Sequence, residues 1–368
     1  MNNKHEHYDL VQMQSLPLEA KEMMSKMRIN EWFIHWDGNV YVGFSGGNDS
    51  TVLADLVARY CKLSGYRLYL LFVNTGLEYP EIQKFVKTFA EWLQNEYNIE
   101  VQLDIVRPKM RFDEVLKTYG YPVISKEISQ IIREAKIGIS RNDGSYKYRI
   151  QRITGIGNYA PIDGKKSRYD VSHYRYMLDA PFDISEECCK VMKKQPSRRY
   201  AKETGRKPIL GTMASESRLR HQRWLKYGCN AFDASSDNQS SNPLSFWTEQ
   251  DILHYIKKYN IPYCSVYGEI VSDMPSDFEG QATIYDISGD YEGINLKTTG
   301  CNRTGCMFCM FGCHLEKGQN RFQRLKETHP KQYEYCINGG EEVDGKWQPN
   351  KEGLGLAKVL DYIGVKYE

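Results

Sequence analysis

The chain has 368 residues, 41% of them apolar, and a formal net charge of +2, which is enough for a substantial core and excludes wholesale disorder. A charge so near zero gives no global argument for a polyanionic partner, so any such argument must be local. There is no 18-residue apolar run and no continuous apolar core near the N-terminus; this excludes a transmembrane helix and a signal peptide and makes the cytoplasm the expected location.

The first predicted element is a helix over residues 16–36, with apolar residues at helical spacing, ended by the turn signal "DG". "NVYVGF" then reads as a short strand and "TVLADLVARYCKL" as an amphipathic helix. "YRLYLLFVNTG" is too continuously apolar for a half-exposed strand and is expected to be a buried parallel one. A helix follows in "PEIQKFVKTFAEWLQNEY", with Pro80 near its start, and a third strand in "IEVQLDIVRP". This alternation predicts an α/β fold on a doubly wound parallel sheet.

Residues 133–176 break the rhythm, with ten Lys or Arg against four Asp or Glu, interleaved with tyrosines. They read either as a solvated insertion or as a surface for a phosphate-rich partner such as tRNA or DNA. Alternation resumes in "KPILGTMASESRLRHQRWLKYG", then in a helix with Thr248 as its expected N-cap. "NRFQRLKETHPKQYEYCI" is a further helix, split or ended near Pro330. Composition thus divides the chain into an N-terminal helical segment (1–36), a nucleotide-binding α/β domain (37–265) containing the basic insertion, and a smaller Cys-rich C-terminal region (266–368).

"SGGNDS", residues 45–50, lies between a predicted parallel strand and a helix, hence at the carboxyl edge of the sheet, where such folds bind ligands. Gly46 and Gly47 permit close backbone approach, and the N–H groups opening the next helix suit phosphate. Ser45 and Ser50 add hydroxyls, and Asp49 is a candidate Mg2+ ligand. No Lys-Ser or Lys-Thr follows the glycines, so the Walker pattern is not met.

This loop resembles the S-G-G-x-D-S element of the PP-loop ATP pyrophosphatase superfamily, whose fold is adenine-nucleotide-alpha-hydrolase-like. More of the chain is similar to phosphoadenylylsulfate (PAPS) reductases: "NTGLEYPE" (74–81), "ECCKVMKKQP" (187–196), "GTMASESRLR" (211–220) and "PLSFWTEQDILHYIKKYNIPY". The resemblance implies phosphate binding by Ser45, Gly46, Gly47, Asp49 and Ser50, with Asn74, Thr75 and Gly76 at the neighbouring strand end. It makes Lys193, Arg218 and Arg220 candidates for anionic groups. Asn48 and Met213 stand where a lysine and an arginine are common, and the reductases' C-terminal E-C-G-x-H element has no counterpart; "EYCING" around Cys336 comes nearest.

Four cysteines, Cys301, Cys306, Cys309 and Cys313, fall within thirteen residues, and Cys188 adjoins Cys189. Such clustering points to a metal or redox centre rather than disulfides. Zinc would take a closed tetrahedral set from the four, or from His314; an iron–sulfur cluster also takes four thiolates. "CNRTGCMFC" resembles the cysteine run of the DNA phosphorothioation ATPase, and Cys188 lies five residues before Lys193 and eight before Pro196, the spacing that branch implies. The adenylylsulfate reductases likewise hold a [4Fe–4S] cluster through a Cys-Cys pair and a distant CxxC. The expected ligands are therefore Cys188, Cys301, Cys306 and Cys309, with Cys189 and Cys313 as substitutes or sulfur carriers and zinc as the alternative metal.

Three functions follow from these resemblances. In the first, ATP adenylates a substrate, releasing pyrophosphate, and sulfur then displaces AMP, with Asp49 and Cys189 as catalytic residues and a sulfur or electron donor protein as partner. In the second, adenylylsulfate or its 3′-phosphate is reduced to sulfite. In the third, the chain is a nucleotide- or nucleic-acid-binding module with structural zinc.

Overall fold

The computed structural model describes residues 3–274 and 293–368. The chain forms two compact units, each assembled from separated stretches. The first comprises 1–74, 78–107 and 196–304; the second comprises 75–77, 108–195 and 305–368. Composition divides the chain linearly, whereas these units interleave, because long-range packing joins segments that sequence keeps apart.

The first unit is built on a parallel sheet of β1 (Val40–Gly43), β2 (Leu68–Val73), β3 (Val101–Val106) and a fourth strand, Lys207–Leu210, in the order β3–β2–β1–fourth. Order runs outward from β1 to β3 and then reverses to the fourth strand. Because parallel crossovers are right-handed, this reversal sends helices to both faces, the doubly wound arrangement the sequence predicts. The reversal beside β1 is the topological switch point, and the chain leaving β1 is the glycine loop.

The α-helices of this unit begin with α1 (His7–Gln14), α2 (Leu18–His35), α3 (Asn48–Ser64) and α4 (Pro80–Tyr97). Sequence periodicity places the α3 helix from Thr51; in the structure it opens three residues earlier, so Asn48, Asp49 and Ser50 form its first turn. Gly65 ends it in the left-handed conformation (φ 77°), where a β-carbon would be strained. Pro80 opens α4, as expected of a residue whose missing N–H is not needed there. Val52, Leu53, Ala54, Leu56, Val57 and Ala58 of α3 are all 0% exposed, because this part of the helix is covered on every side, while its last turn, with Leu63, is exposed.

One buried carboxylate ties three helices of this unit together. Asp55 of α3 is fully buried and accepts hydrogen bonds from Tyr97 Oη at 2.5 Å, Tyr255 Oη at 2.6 Å and Arg59 Nε at 2.8 Å. Tyr255 sits on the helix Glu249–Tyr259, which Thr248 caps by accepting from the Asp251 N–H, as its sequence foretells. Removing the carboxylate leaves the buried hydroxyls of Tyr97 and Tyr255 and the part-exposed Arg59 guanidinium without their acceptor. Asp55→Ala is accordingly expected to lower unfolding free energy by about 3–5 kcal/mol, read from urea midpoints; a loss below about 1 kcal/mol would mean that burial costs offset what the network gains.

The second unit is mainly helical. It contains the helices Phe112–Tyr119, Lys126–Arg141 and Lys147–Thr154, and near the end of the chain Arg321–Thr328, Pro330–Ile337 and Leu356–Tyr362. Pro330 does split the predicted helix, its ring opening the second half. A short parallel pair joins Val123–Ile124 to Met310–Phe311 and fixes the strand that leads out of the CxxC. Residues 133–176 begin inside a helix rather than as a detached insertion. Several of their cations turn to local acids: Arg133 to Glu186 (Nε–Oε2 3.0 Å), Arg149 to Glu134 (2.6 Å) and Arg152 to Glu127 (2.9 Å).

Candidate functional site

In the first unit the loop from Ser45 to Ser50 is folded on itself. Ser50 Oγ accepts from the Ser45 N–H at 3.1 Å, lies 3.1 Å from Ser45 Oγ and donates to the Gly47 carbonyl at 2.9 Å. Thr51 Oγ1 donates to the same carbonyl at 3.0 Å. Gly46 has φ +76°, and a β-carbon there would stand 3.0 Å from the side chains of Ile82 and Val86 of α4. Its lack of a side chain serves both the left-handed turn and the approach of α4. Gly211, which opens the "GTMASESRLR" stretch, is needed for a different reason: a β-carbon would meet the Asp49 carbonyl at 2.9 Å.

Charge gathers beside this loop. Glu216 accepts from the Met213 N–H at 2.9 Å, is ion-paired with Arg220 and lies 3.3 Å from Arg303 Nη1. Arg218 and Arg220 open the helix Arg218–Tyr227, capped by Ser217. Asp49 is half-buried. Burial pushes its carboxyl up to about 6, against the opposing pull of Arg303 and Arg220 and with a further push from Glu249. Asn48 is 7% exposed, and its amide oxygen has no hydrogen-bond partner. A buried, unpaired amide oxygen suits a polar group that can donate a hydrogen bond to it.

Of the other expected nucleotide contacts, Asn74 directly follows β2, with its N–H donating to the Val106 carbonyl at 2.9 Å. Thr75 and Gly76 belong to the second unit, where Thr75 Oγ1 accepts from the Leu77 N–H at 3.2 Å and Gly76 has φ +76°. Lys193 is also in the second unit, on a π-helical turn (Lys190–Lys194) that follows the Cys-Cys pair. π-turns recur at functional sites, and this one places Lys193 where its charge acts on Cys189 and Cys309.

The cysteines divide between the units. Cys188, Cys189, Cys306, Cys309 and Cys313 lie in the second; Cys301 lies in the first, its Sγ 3.9 Å from Tyr79 Oη. Cys188 and Cys189 are hydrogen-bonded sulfur to sulfur at 3.9 Å. Cys188 holds the proton, driven up by that bond, by burial and by the charges of Cys189, Cys309 and Cys306. Cys189 is pulled down to about 6 by the same bond and by Lys126 and Lys193. Cys306 and Cys309 close a turn, the Cys309 N–H donating to the Cys306 carbonyl at 3.1 Å. Cys313 donates to the Met310 carbonyl at 3.0 Å and is raised to about 11 by burial, which keeps it a thiol at neutral pH.

Four soft thiols within electrostatic reach of one another, two of them beside cationic lysines, are chemically suited to an iron–sulfur or zinc centre. Among the described residues, however, no three His, Cys, Asp or Glu side chains stand as a closed metal-binding group. The donor chemistry fits and the shell is open. Nor is any helix among the described residues long and apolar enough to cross a membrane.

Sequence reading missed Arg303, Glu216, Glu249 and Tyr267 as parts of the loop's surroundings. Arg303 had a signal, standing inside the "CNRTGC" run, and Glu216 stands within a motif already quoted. Tyr267 had none, since nothing local marks a tyrosine that reaches a loop 219 residues earlier in the chain.

A doubly wound parallel sheet, with a glycine loop at its switch point and basic side chains gathered around that loop, defines the open α/β class. Within that class the chain belongs to the phosphoadenosine phosphosulfate reductase domain family, whose profile matches residues 39–139 and 146–311. The match takes in the loop, the Cys-Cys pair and the CxxC, and it breaks only at 140–145, inside the basic stretch. No curated protein matches the chain. Among solved structures, it is similar to the U34-tRNA thiolase NcsA from Methanococcus maripaludis with its [4Fe–4S] cluster, at 13% identity and a TM-score of 0.32. That likeness covers 74% of this chain and 71% of the other, and at this degree it carries no functional argument.

Proposed function

We propose that the chain is an enzyme of sulfur transfer that binds ATP or another adenylyl nucleotide at the 45–50 loop and uses it to activate a substrate oxygen. The observation that carries this reading is the loop itself: first-turn N–H groups of α3, a glycine backbone at the switch point, and Arg220 and Arg303 held beside Asp49. The substrate oxygen attacks the α-phosphorus, the bond to the bridging oxygen breaks, and pyrophosphate leaves with the electron pair. A sulfur nucleophile then attacks the activated carbon, and AMP departs with the former substrate oxygen. Asp49 would hold Mg2+, which supplies a Lewis acid for the leaving phosphates, and the two arginines would receive their charge.

Cys188, Cys189, Cys306 and Cys309 are the thiols that would hold a [4Fe–4S] cluster, with zinc the alternative; the spacing in the sequence adds Cys301. Such a cluster supplies a site for sulfur or electron relay from a donor protein. The substrate class is nucleic acid, tRNA or DNA. Tyr148 (50% exposed) and Tyr176 (43%) stand out from the basic stretch, where Lys147, Lys165, Arg168 and Arg175 are exposed too.

A second reading, reduction of adenylylsulfate to sulfite and AMP by a dithiol, has family membership in its favour. Against it, Cys336, the cysteine nearest to the reductase element, is 0% exposed and its thiol is raised well above its ordinary value by burial. The two separate in one experiment. Full-length protein is given ATP with tRNA or DNA and a persulfide donor, or adenylylsulfate with dithiothreitol. Nucleic-acid-dependent pyrophosphate release supports the proposal, and sulfite formation in the second mixture would replace it.

A further inference from the structure

Resting on the nucleotide reading above, we infer that Tyr267 and Thr304 latch the phosphate cradle shut in the ligand-free chain and that nucleotide must displace them to bind. The Asn48 N–H, one of the helix-opening donors that phosphate would use, is already taken: it donates to Tyr267 Oη at 3.2 Å. Tyr267 Oη is in turn 2.8 Å from Thr304 Oγ1. Both hydroxyls press on the glycine backbone. A β-carbon on Gly47 would stand 3.0 Å from Thr304 Oγ1 and 3.2 Å from Tyr267 Oη, so the space over Gly47 is filled by this chain's own oxygens. A phosphate oxygen accepting from the Asn48 N–H has to occupy the place of the tyrosine oxygen.

The two residues are tied into one piece of backbone. The N–H groups of Gly300 and Cys301 donate to the carbonyls of Tyr267 and Val266, at 2.8 and 3.0 Å, and the Thr299 N–H donates to Glu269 at 2.9 Å. Ile270–Ser272 pairs antiparallel with Leu296–Thr298 just beyond. Gly300 is required there, because a β-carbon would meet the Val266 carbonyl at 2.5 Å. Tyr267 and Thr304 therefore leave the loop together. Arg303, adjacent to Thr304, is held by Glu216 in the closed form, so release of the latch also frees a guanidinium for the incoming phosphates.

A closed fraction lowers apparent affinity by the fraction that is open, so weakening the latch tightens binding. The test is isothermal titration of MgATP into the full chain and into Tyr267→Phe and Thr304→Ala. Phenylalanine keeps the ring packing and removes only the oxygen. Each neutral hydrogen bond lost from the closed state is worth about fivefold in an equilibrium constant; Thr304→Ala loses one and is expected to bind MgATP about fivefold more tightly than the parent, and Tyr267→Phe, which loses two, more tightly still. Equal or weaker binding in both variants, with the parent binding normally, would overturn the latch and make the hydroxyls bystanders or nucleotide contacts. No binding in any of the three would overturn the nucleotide reading and the latch with it. If one variant fails to fold, the other decides the outcome alone.

Discussion

Asp49→Asn is expected to abolish nucleotide turnover, by about 100-fold or more, while making the folded chain more stable at neutral pH. The carboxylate sits in the first turn of α3, beside the two arginines that Glu216 holds, where it alone among the loop side chains offers a negative charge to Mg2+. Asparagine keeps the shape and the helix-opening position but not the charge, so loss of turnover reports chemistry rather than collapse.

The stability effect has the opposite sign, and its pH window follows from the raised carboxyl. Burial raises the Asp49 carboxyl from its ordinary 3.8 to about 6 in the folded chain. Folding therefore favours the protonated form. The associated stability is fully present below pH 3.8, falls as pH rises, and is lost above about 6. Above that pH, burying the charge costs about 1–3 kcal/mol, which asparagine does not incur. Urea midpoints for the variant should exceed those of the parent at neutral pH and converge with them in acid. A variant that turns over nucleotide normally would remove Asp49 from the site, and one less stable than the parent at pH 7 would mean that the arginines more than compensate the buried charge.

Cys306→Ser carries the second large effect: bound metal should fall from full occupancy to near zero, since a serine hydroxyl does not replace a thiolate on iron or zinc. Cys306 is only half-buried, so the substitution removes little packing and far-ultraviolet circular dichroism should be unchanged. Cys313→Ser is the matched control. Its thiol is engaged by the Met310 carbonyl and stays protonated, so that variant should keep its metal at the cost of a small loss of stability. Full stoichiometry in Cys306→Ser would place the ligands elsewhere.

The parts of the fold legible in the sequence are those governed by neighbours in the chain. Pro80 and Thr248 act on their own turns, and the continuous apolar run at Leu68–Val73 declares a strand covered on both faces. The loop was legible because strand, glycines and helix are consecutive. What was not legible depends on distance along the chain. Tyr97 and Tyr255 converge on Asp55 from 42 and 200 residues away, and no periodicity announces it. Arg133, Arg149 and Arg152 read as surface charge until Glu186, Glu134 and Glu127 are brought to them. The cysteines are an intermediate case. Spacing groups 301, 306, 309 and 313 and resemblance adds Cys188 and Cys189, yet only the structure puts Cys301 in the first unit, turns the Cys313 thiol onto a carbonyl and sets Cys189 beside two lysines.

That the thiols of the second unit form a centre for sulfur chemistry is tested most directly by purifying the full chain without oxygen and measuring iron, zinc and acid-labile sulfide per chain. About four irons and four sulfides are predicted. One zinc without sulfide, unchanged after reconstitution with iron and sulfide, would contradict the account and leave the cysteines as a structural clip.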